Sequence, residues 1–164
     1  MYSLQPKKKM KGVSAIEFGL IFPILFLMLY GLLTYSLIFA VKHSLALAAA
    51  EGARAAVRFT SASNDTLQMR RDAACLMATN SLSWLTAIKG AASCNGGAVI
   101  NVEVIGSPNP CAPLAAPLNS AVNCVEVYAR YSYAASPIIP VIQAILPVPQ
   151  RLEGKSVTQI ALRN

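Results

Sequence analysis

FGLIFPILFLMLYGLLTYSLIFAV, residues 18–41, carries no formal charge along its whole length. As a helix this run extends roughly 36 Å at about 1.5 Å per residue, more than the ~30 Å hydrocarbon core of a bilayer. It is expected to be a transmembrane helix. Lys7, Lys8, Lys9 and Lys11 lie immediately before it, so the positive-inside rule assigns the preceding segment to the cytoplasm and everything after about Lys42 to the outside. A secretory signal peptide has an apolar core of only about 7–15 residues. The small residues around Ala46 and Ala48 lie too deep behind the span to serve as its cleavage site. A retained anchor follows. Pro23 and Gly31 are tolerable inside such a span, and Pro23 is expected to permit a bend.

The 164 residues leave room for the anchor and one domain of roughly 100 residues. The hydrophobic fraction of 55% and mean hydropathy of +0.50 come largely from the anchor. The net charge of +7 suggests nucleic acid only until its placement is considered. The four leader lysines account for four of those charges, leaving +3 on a remainder without aromatic–basic interleaving. A nucleic-acid partner is therefore not expected.

Glu17 stands at the start of the apolar run. A carboxylate there is tolerated if it is hydrated at the interface and favoured by the helix N-terminus, and costly if drawn into lipid. Around it the sequence reads Lys-Lys-Lys-Met-Lys-Gly12-Val13-Ser14-Ala15-Ile16-Glu17-Phe18. This resembles the type IV prepilin signal: a basic leader, a glycine, four residues, a glutamate and an uninterrupted apolar helix. The resemblance implies cleavage after Gly12 by a membrane-embedded prepilin peptidase, leaving Val13 as the new N-terminus. It also implies that Glu17 meets the free amine of a neighbouring subunit during assembly. Either ion alone is unfavourable in lipid and the pair much less so, which selects one axial register between adjacent helices.

The helix is expected to continue outside the membrane through KHSLALAAAEGARAAVRF. Ser44, Ala48, Gly52 and Ala56 recur every fourth residue, a stripe that lets helix backbones approach closely. The alternative is that alanine is simply a good helix former. Arg54 and Arg58 lie on another face, and Glu51 is placed to pair with Arg54. After the polar break at 60–66, Asp65 and Gln68 read as an N-cap and its box partner. A second helix then runs to about Ile88, with Leu67, Ala74, Met77, Ala78 and Leu85 on its apolar face and Trp84 packed on the first helix. Lys89-Gly90 is its stop signal.

Beyond it the period changes to two, at residues 98–105, 122–133 and 156–163. In the second of these Val125, Val127, Ala129, Tyr131 and Tyr133 face one way and Cys124, Glu126, Tyr128, Arg130 and Ser132 the other. The fold class expected is α+β: a long N-terminal helix, a second helix and a small three-stranded antiparallel sheet covered by helices. Residues 1–12 form the cytoplasmic leader, 13–42 the transmembrane helix, 43–59 its extracytoplasmic extension and 60–164 the α+β domain. The connections are proline-rich. Ile138, Ile139, Val141, Ile142, Ile145 and Leu146 are apolar enough to be core or a patch facing a membrane or subunit.

Four cysteines, Cys75, Cys94, Cys111 and Cys124, all follow the anchor. With no Cys-x-x-Cys spacing and a lone His43 at the membrane edge, no metal site is expected. An even number in an oxidising compartment favours two disulfides, with Cys75–Cys94 and Cys111–Cys124 preferred among three connectivities. The alternative is four buried thiols. No nucleophile–base pair and no glycine-rich nucleotide loop emerges, so neither catalytic residues nor a cofactor are expected.

GLIFPILFLMLYGLL followed by AAAEGARAAV, with Glu17-Phe18 before it and an arginine near the helix end, resembles the TadE-like proteins of tight-adherence (Tad/Flp) pili. The tyrosine-rich strand leading into Pro-Ile-Ile-Pro is also similar. The resemblance implies a minor pilin or pseudopilin of the inner membrane, with a periplasmic outer domain and possible incorporation into the pilus. The partners it implies are the prepilin peptidase, a TadF-like sister protein, the major pilin and the platform proteins. An uncleaved single-pass envelope scaffold and a membrane-tethered binding module remain as alternatives.

Overall fold

The computed structural model describes residues 13–58, 67–94, 96–107, 122–139 and 147–161. Its elements are α1 (Val13–Arg58), α2 (Leu67–Ser81), α3 (Ser83–Lys89), β1 (Ala92–Cys94), β2 (Ile100–Ser107), β3 (Val122–Tyr131) and β4 (Leu152–Ala161). The chain divides into two compact units at Leu37/Ile38, within α1.

In the first unit α1 runs through Pro23 without interruption and is long and apolar enough to cross a membrane. Thr34 Oγ1 donates to Tyr30 O at 2.8 Å, a back-bond to the preceding turn. Phe18, Leu20, Ile24, Met28 and Leu32 are between 65% and 70% exposed. Most of the large apolar side chains of this part of α1 face outward, as suits a lipid solvent, while Thr34 is buried.

The second unit has two layers. The C-terminal half of α1 and helix α2 cover one face of a four-stranded sheet of order β1-β2-β3-β4. Its core joins Val41, Leu45, Ala48 and Ala56 of α1, Ala74 and Ala78 of α2, and Val102, Val127, Ala129 and Tyr131 of the sheet. The alternation expected in β3 is present: Val125, Val127, Ala129 and Tyr131 are buried, while Glu126, Tyr128 and Arg130 are half-buried on the opposite face. Cys124, on that same outer side, is buried as well.

The α+β class holds, but the sheet is mixed and four-stranded rather than three-stranded and antiparallel. The added strand β1 pairs parallel with β2, Ala92 opposite Ile100 and Cys94 opposite Val102. Parallel neighbours ordinarily need a long crossover. Here the chain folds back through Gly96 and Gly97, whose φ values of +131° and +89° suit glycine. Ser93 Oγ donates to Gly96 O at 2.6 Å and Gly96 N to Asn101 Oδ1 at 3.0 Å, fixing that return. A three-residue strand has too short a period to be read from sequence.

The expected second helix is also divided. Leu82 leaves helical geometry between α2 and α3, and the break points both Leu82 and Leu85 into the core. Met77, expected on the apolar face, is 48% exposed, and Trp84, expected against the first helix, is 40% exposed. Gly90 ends α3 with φ +93°, its N–H donating to Thr86 O at 2.9 Å. Asp65 lies outside the described residues, and Gln68 Nε2 donates to Asp72 Oδ1 at 3.0 Å. Ile138 packs against the core, while residues 140–146 lie outside the described set.

Two glycines set the spacing between layers. A Cβ on Gly52 would stand 2.8 Å from Ala74 O and 3.2 Å from Val127 Cγ1, so α1 approaches α2 and β3 only because no side chain intervenes. A Cβ on Gly154 would collide with the backbone of Leu45 and Ala46. The small-residue stripe Ala48, Gly52, Ala56 is thus occupied within its own unit. Buried Arg70 donates from Nη1 to Ala56 O at 2.8 Å, satisfying a carbonyl of the last turn of α1 and placing a cation at its negative end. Arg71 binds Val104 O through Nε at 3.1 Å and Nη2 at 2.9 Å, fastening α2 to β2.

Candidate functional site

The first candidate surface is the start of α1. Gly12, the expected processing residue, lies outside the described residues, and Val13 opens the helix. Glu17 and Phe18 are both exposed on it. From Phe18 an aromatic ladder climbs one face, each ring stacked on the ring four residues on. Its centroid spacings are 5.3 Å from Phe18 to Phe22, 6.2 Å to Phe26 and 6.4 Å to Tyr30. Spacing of four residues places side chains one above another on a helix. The arrangement puts one carboxylate at the foot of a broad apolar ridge. Chemically it can form an ion pair with a cation on another helix and bury the ridge against it. The ladder went unnoticed in the sequence although its signal, an aromatic at every fourth position from 18 to 30, is legible there.

The second is the outer face of the sheet, centred on Tyr128. Antiparallel register brings Tyr128 opposite Glu103 of β2 and Lys155 of β4. Arg130 lies 4.7 Å and Lys155 4.9 Å from the centre of its ring, while its hydroxyl donates to Glu126 Oε2 at 2.7 Å. Arg130 Nε donates to Glu153 Oε2 at 2.9 Å, and its Nη1 pairs with Glu103. Lys155 Nζ reaches Glu126 Oε2 at 3.4 Å. The Tyr128 hydroxyl holds the Glu126 carboxyl below its ordinary range, against the opposing effect of burial and with help from Lys155. The hydrogen bond to Glu153 raises Arg130 further still. Five charges and one aromatic ring satisfy one another here, a network that spans three strands. On the buried face, desolvation pushes the Tyr131 hydroxyl up, and it donates to Ser136 O.

Of the cysteines, Cys75 and Cys94 form a disulfide with Cα atoms 6.1 Å apart, joining α2 to β1. Cys124 is disulfide-bonded too, and Cys111, the partner expected for it, lies outside the described residues. Arg54 pairs with Glu51 at 2.6 Å on the exposed side of α1. Sequence reading supplied Glu17, Phe18 and the cysteines. It missed the Tyr128 network because its members come from three strands whose register is not written locally.

α1 is thus long and apolar enough to cross a membrane, carries a carboxylate near its start and lends its C-terminal part to the core of the α+β unit. Residues 12–54 match the family model described as TadE-like protein. That stretch begins at Gly12, includes Glu17 and the aromatic ladder, and ends at Arg54. No curated protein and no solved structure matches the chain.

Proposed function

We propose that this chain is a minor pilin or pseudopilin of a Tad-type pilus, a non-catalytic subunit acting through helix packing and partner contacts. The observation that carries this is the TadE-like match over residues 12–54, which takes in the glycine, the glutamate and the apolar helix together. In this role α1 holds the protein in the inner membrane with the lysine leader in the cytoplasm and the outer unit in the periplasm. The prepilin peptidase cuts between Gly12 and Val13, and Glu17 then pairs with the free amine of a neighbouring pilin helix. The exposed aromatic ridge supports that packing, since burying it against another helix gives contacts that lipid tails cannot register as specifically. The major pilin, a TadF-like sister subunit and the platform proteins are the partners.

The test is the intact mass of the protein purified from membranes that contain its own prepilin peptidase. A chain beginning at Val13 is expected. A full-length mass, with the peptidase active on another substrate, would overturn the pilin role and leave an uncleaved envelope scaffold. In the cleaved protein, Glu17→Ala is expected to abolish incorporation into fibres while membrane insertion persists.

A further inference from the structure

β4 is one edge of the sheet, and among the described residues it pairs with β3 alone. That pairing runs residue for residue from Leu152 to Ala161, with no bulge and no proline. Exposed edges of this length invite a further strand, and proteins usually blunt them with charges, prolines or bulges. The charges on β4, Glu153 and Lys155, are engaged on the outer face with Arg130 and Glu126. From Ser156 to Ala161 the strand is uncharged.

Beside that uncharged stretch, the last turns of α1 leave a cleft of about 410 Å³. Ala53, Val57, Arg54 and Arg58 line it from the helix and Ser156 and Thr158 from the strand, and none of the described residues that line it is acidic. Arg54 is already held by Glu51. Arg58 is exposed and has no ion pair among the described residues.

We propose that this edge and cleft form a docking site for an extended, acidic segment of a partner protein. The segment adds as a fifth strand along β4 and sets a carboxylate on Arg58. Strand addition supplies affinity through the backbone groups an edge leaves unpaired, and the adjoining pocket supplies selectivity through alternate side chains. A guanidinium fork favours a carboxylate in two-point contact. A second copy of this chain fits poorly, because a two-fold pairing of β4 with β4 brings two basic clefts to one interface. The site belongs entirely to the second unit, so it stands or falls independently of cleavage at Gly12.

The test uses full-length protein in detergent micelles and a fluorescent peptide of about eight residues, the length of an ordinary strand, alternating Thr and Val around one central Glu. Two further peptides carry N-methyl groups on one or the other alternate set of amides. The glutamate peptide is expected to bind, and a lysine analogue to bind about tenfold more weakly. Arg58→Glu is expected to reverse that preference and Arg58→Gln to remove it, with unchanged circular dichroism confirming the fold. One N-methylated peptide should lose binding while the other keeps it, because only alternate amides face the edge. Equal binding of both N-methylated peptides, or no effect of either Arg58 variant, would overturn the site. So would absence of binding with slow hydrogen exchange along all of β4, the sign of an edge already covered by this chain itself.

Discussion

The two halves of α1 are one unbroken helix and yet obey opposite rules. Before Leu37, the large apolar side chains from Ile16 to Leu33 are mostly exposed. After it Val41, Leu45, Ala48, Ala49, Ala53 and Ala56 are buried. The first half is apolar on every face, so its energy comes from the solvent around it and any partner helix. The second half replaces bulk with alanine and glycine on one face, so its energy comes from close approach to α2 and the sheet. The same backbone thus carries two kinds of surface, and residue size marks the change more clearly than hydrophobicity does.

That contrast can be broken most forcefully at Gly154. Gly154→Val drives a side chain into the α1 backbone at Leu45 and Ala46. It is expected to cost about 3 kcal/mol or more, enough to unfold a marginal domain. Guanidinium titration of the outer unit, read by tyrosine and tryptophan fluorescence, checks it. Membrane association in flotation assays should not change, because the first half of α1 does not depend on that packing. If flotation is lost as well, the two halves are not separable in the way described.

Removing the Cys75–Cys94 disulfide with a double alanine substitution is expected to lower the stability of the same unit by about 3 kcal/mol. This follows from the 19-residue separation it closes. A lower midpoint in denaturant is expected, with membrane association unchanged and the Cys124 disulfide intact by mass. An unchanged midpoint would show that Arg71 and the core already fix α2 on the sheet.

The smallest effect lies in the Tyr128 network. The folded Glu126 carboxyl is held below its ordinary value of 4.5. Its contribution is therefore present above about pH 4.5 and is lost as the pH falls through the lowered value. A partly exposed pair of this kind contributes less than about 1 kcal/mol. Glu126→Gln should flatten that part of the stability–pH curve below about pH 4.5, measured by thermal denaturation. The anchor's insertion should show no matching step.

Much of the molecule was legible in its sequence because the relevant physics is local. An uncharged run long enough to cross a bilayer, lysines before it and a glutamate at its start need no tertiary information. Strand alternation in residues 122–131 predicted which side chains of β3 would be buried, since a period of two has one buried face. Lys89-Gly90 predicted the end of α3 for the same local reason. Other features depended on neighbours distant in the chain. Glu153-Gly154-Lys155 resembles a turn, yet it is strand, because Gly154 is where β4 must pass the α1 backbone. β1 exists only through its pairing with β2 and its disulfide to α2. The helix break at Leu82 is decided by the core that receives Leu82 and Leu85. Arg70 looks like a surface arginine until the end of α1 is placed against it. An apolar run long enough to cross a membrane, the resemblance to a prepilin signal and the faces of the principal strand were all legible in the sequence, set by periods and charges along the chain. The fourth strand, the network around Tyr128 and the place of β4 at the end of the strand order came from tertiary structure alone, because register between strands is a property of two segments and never of one.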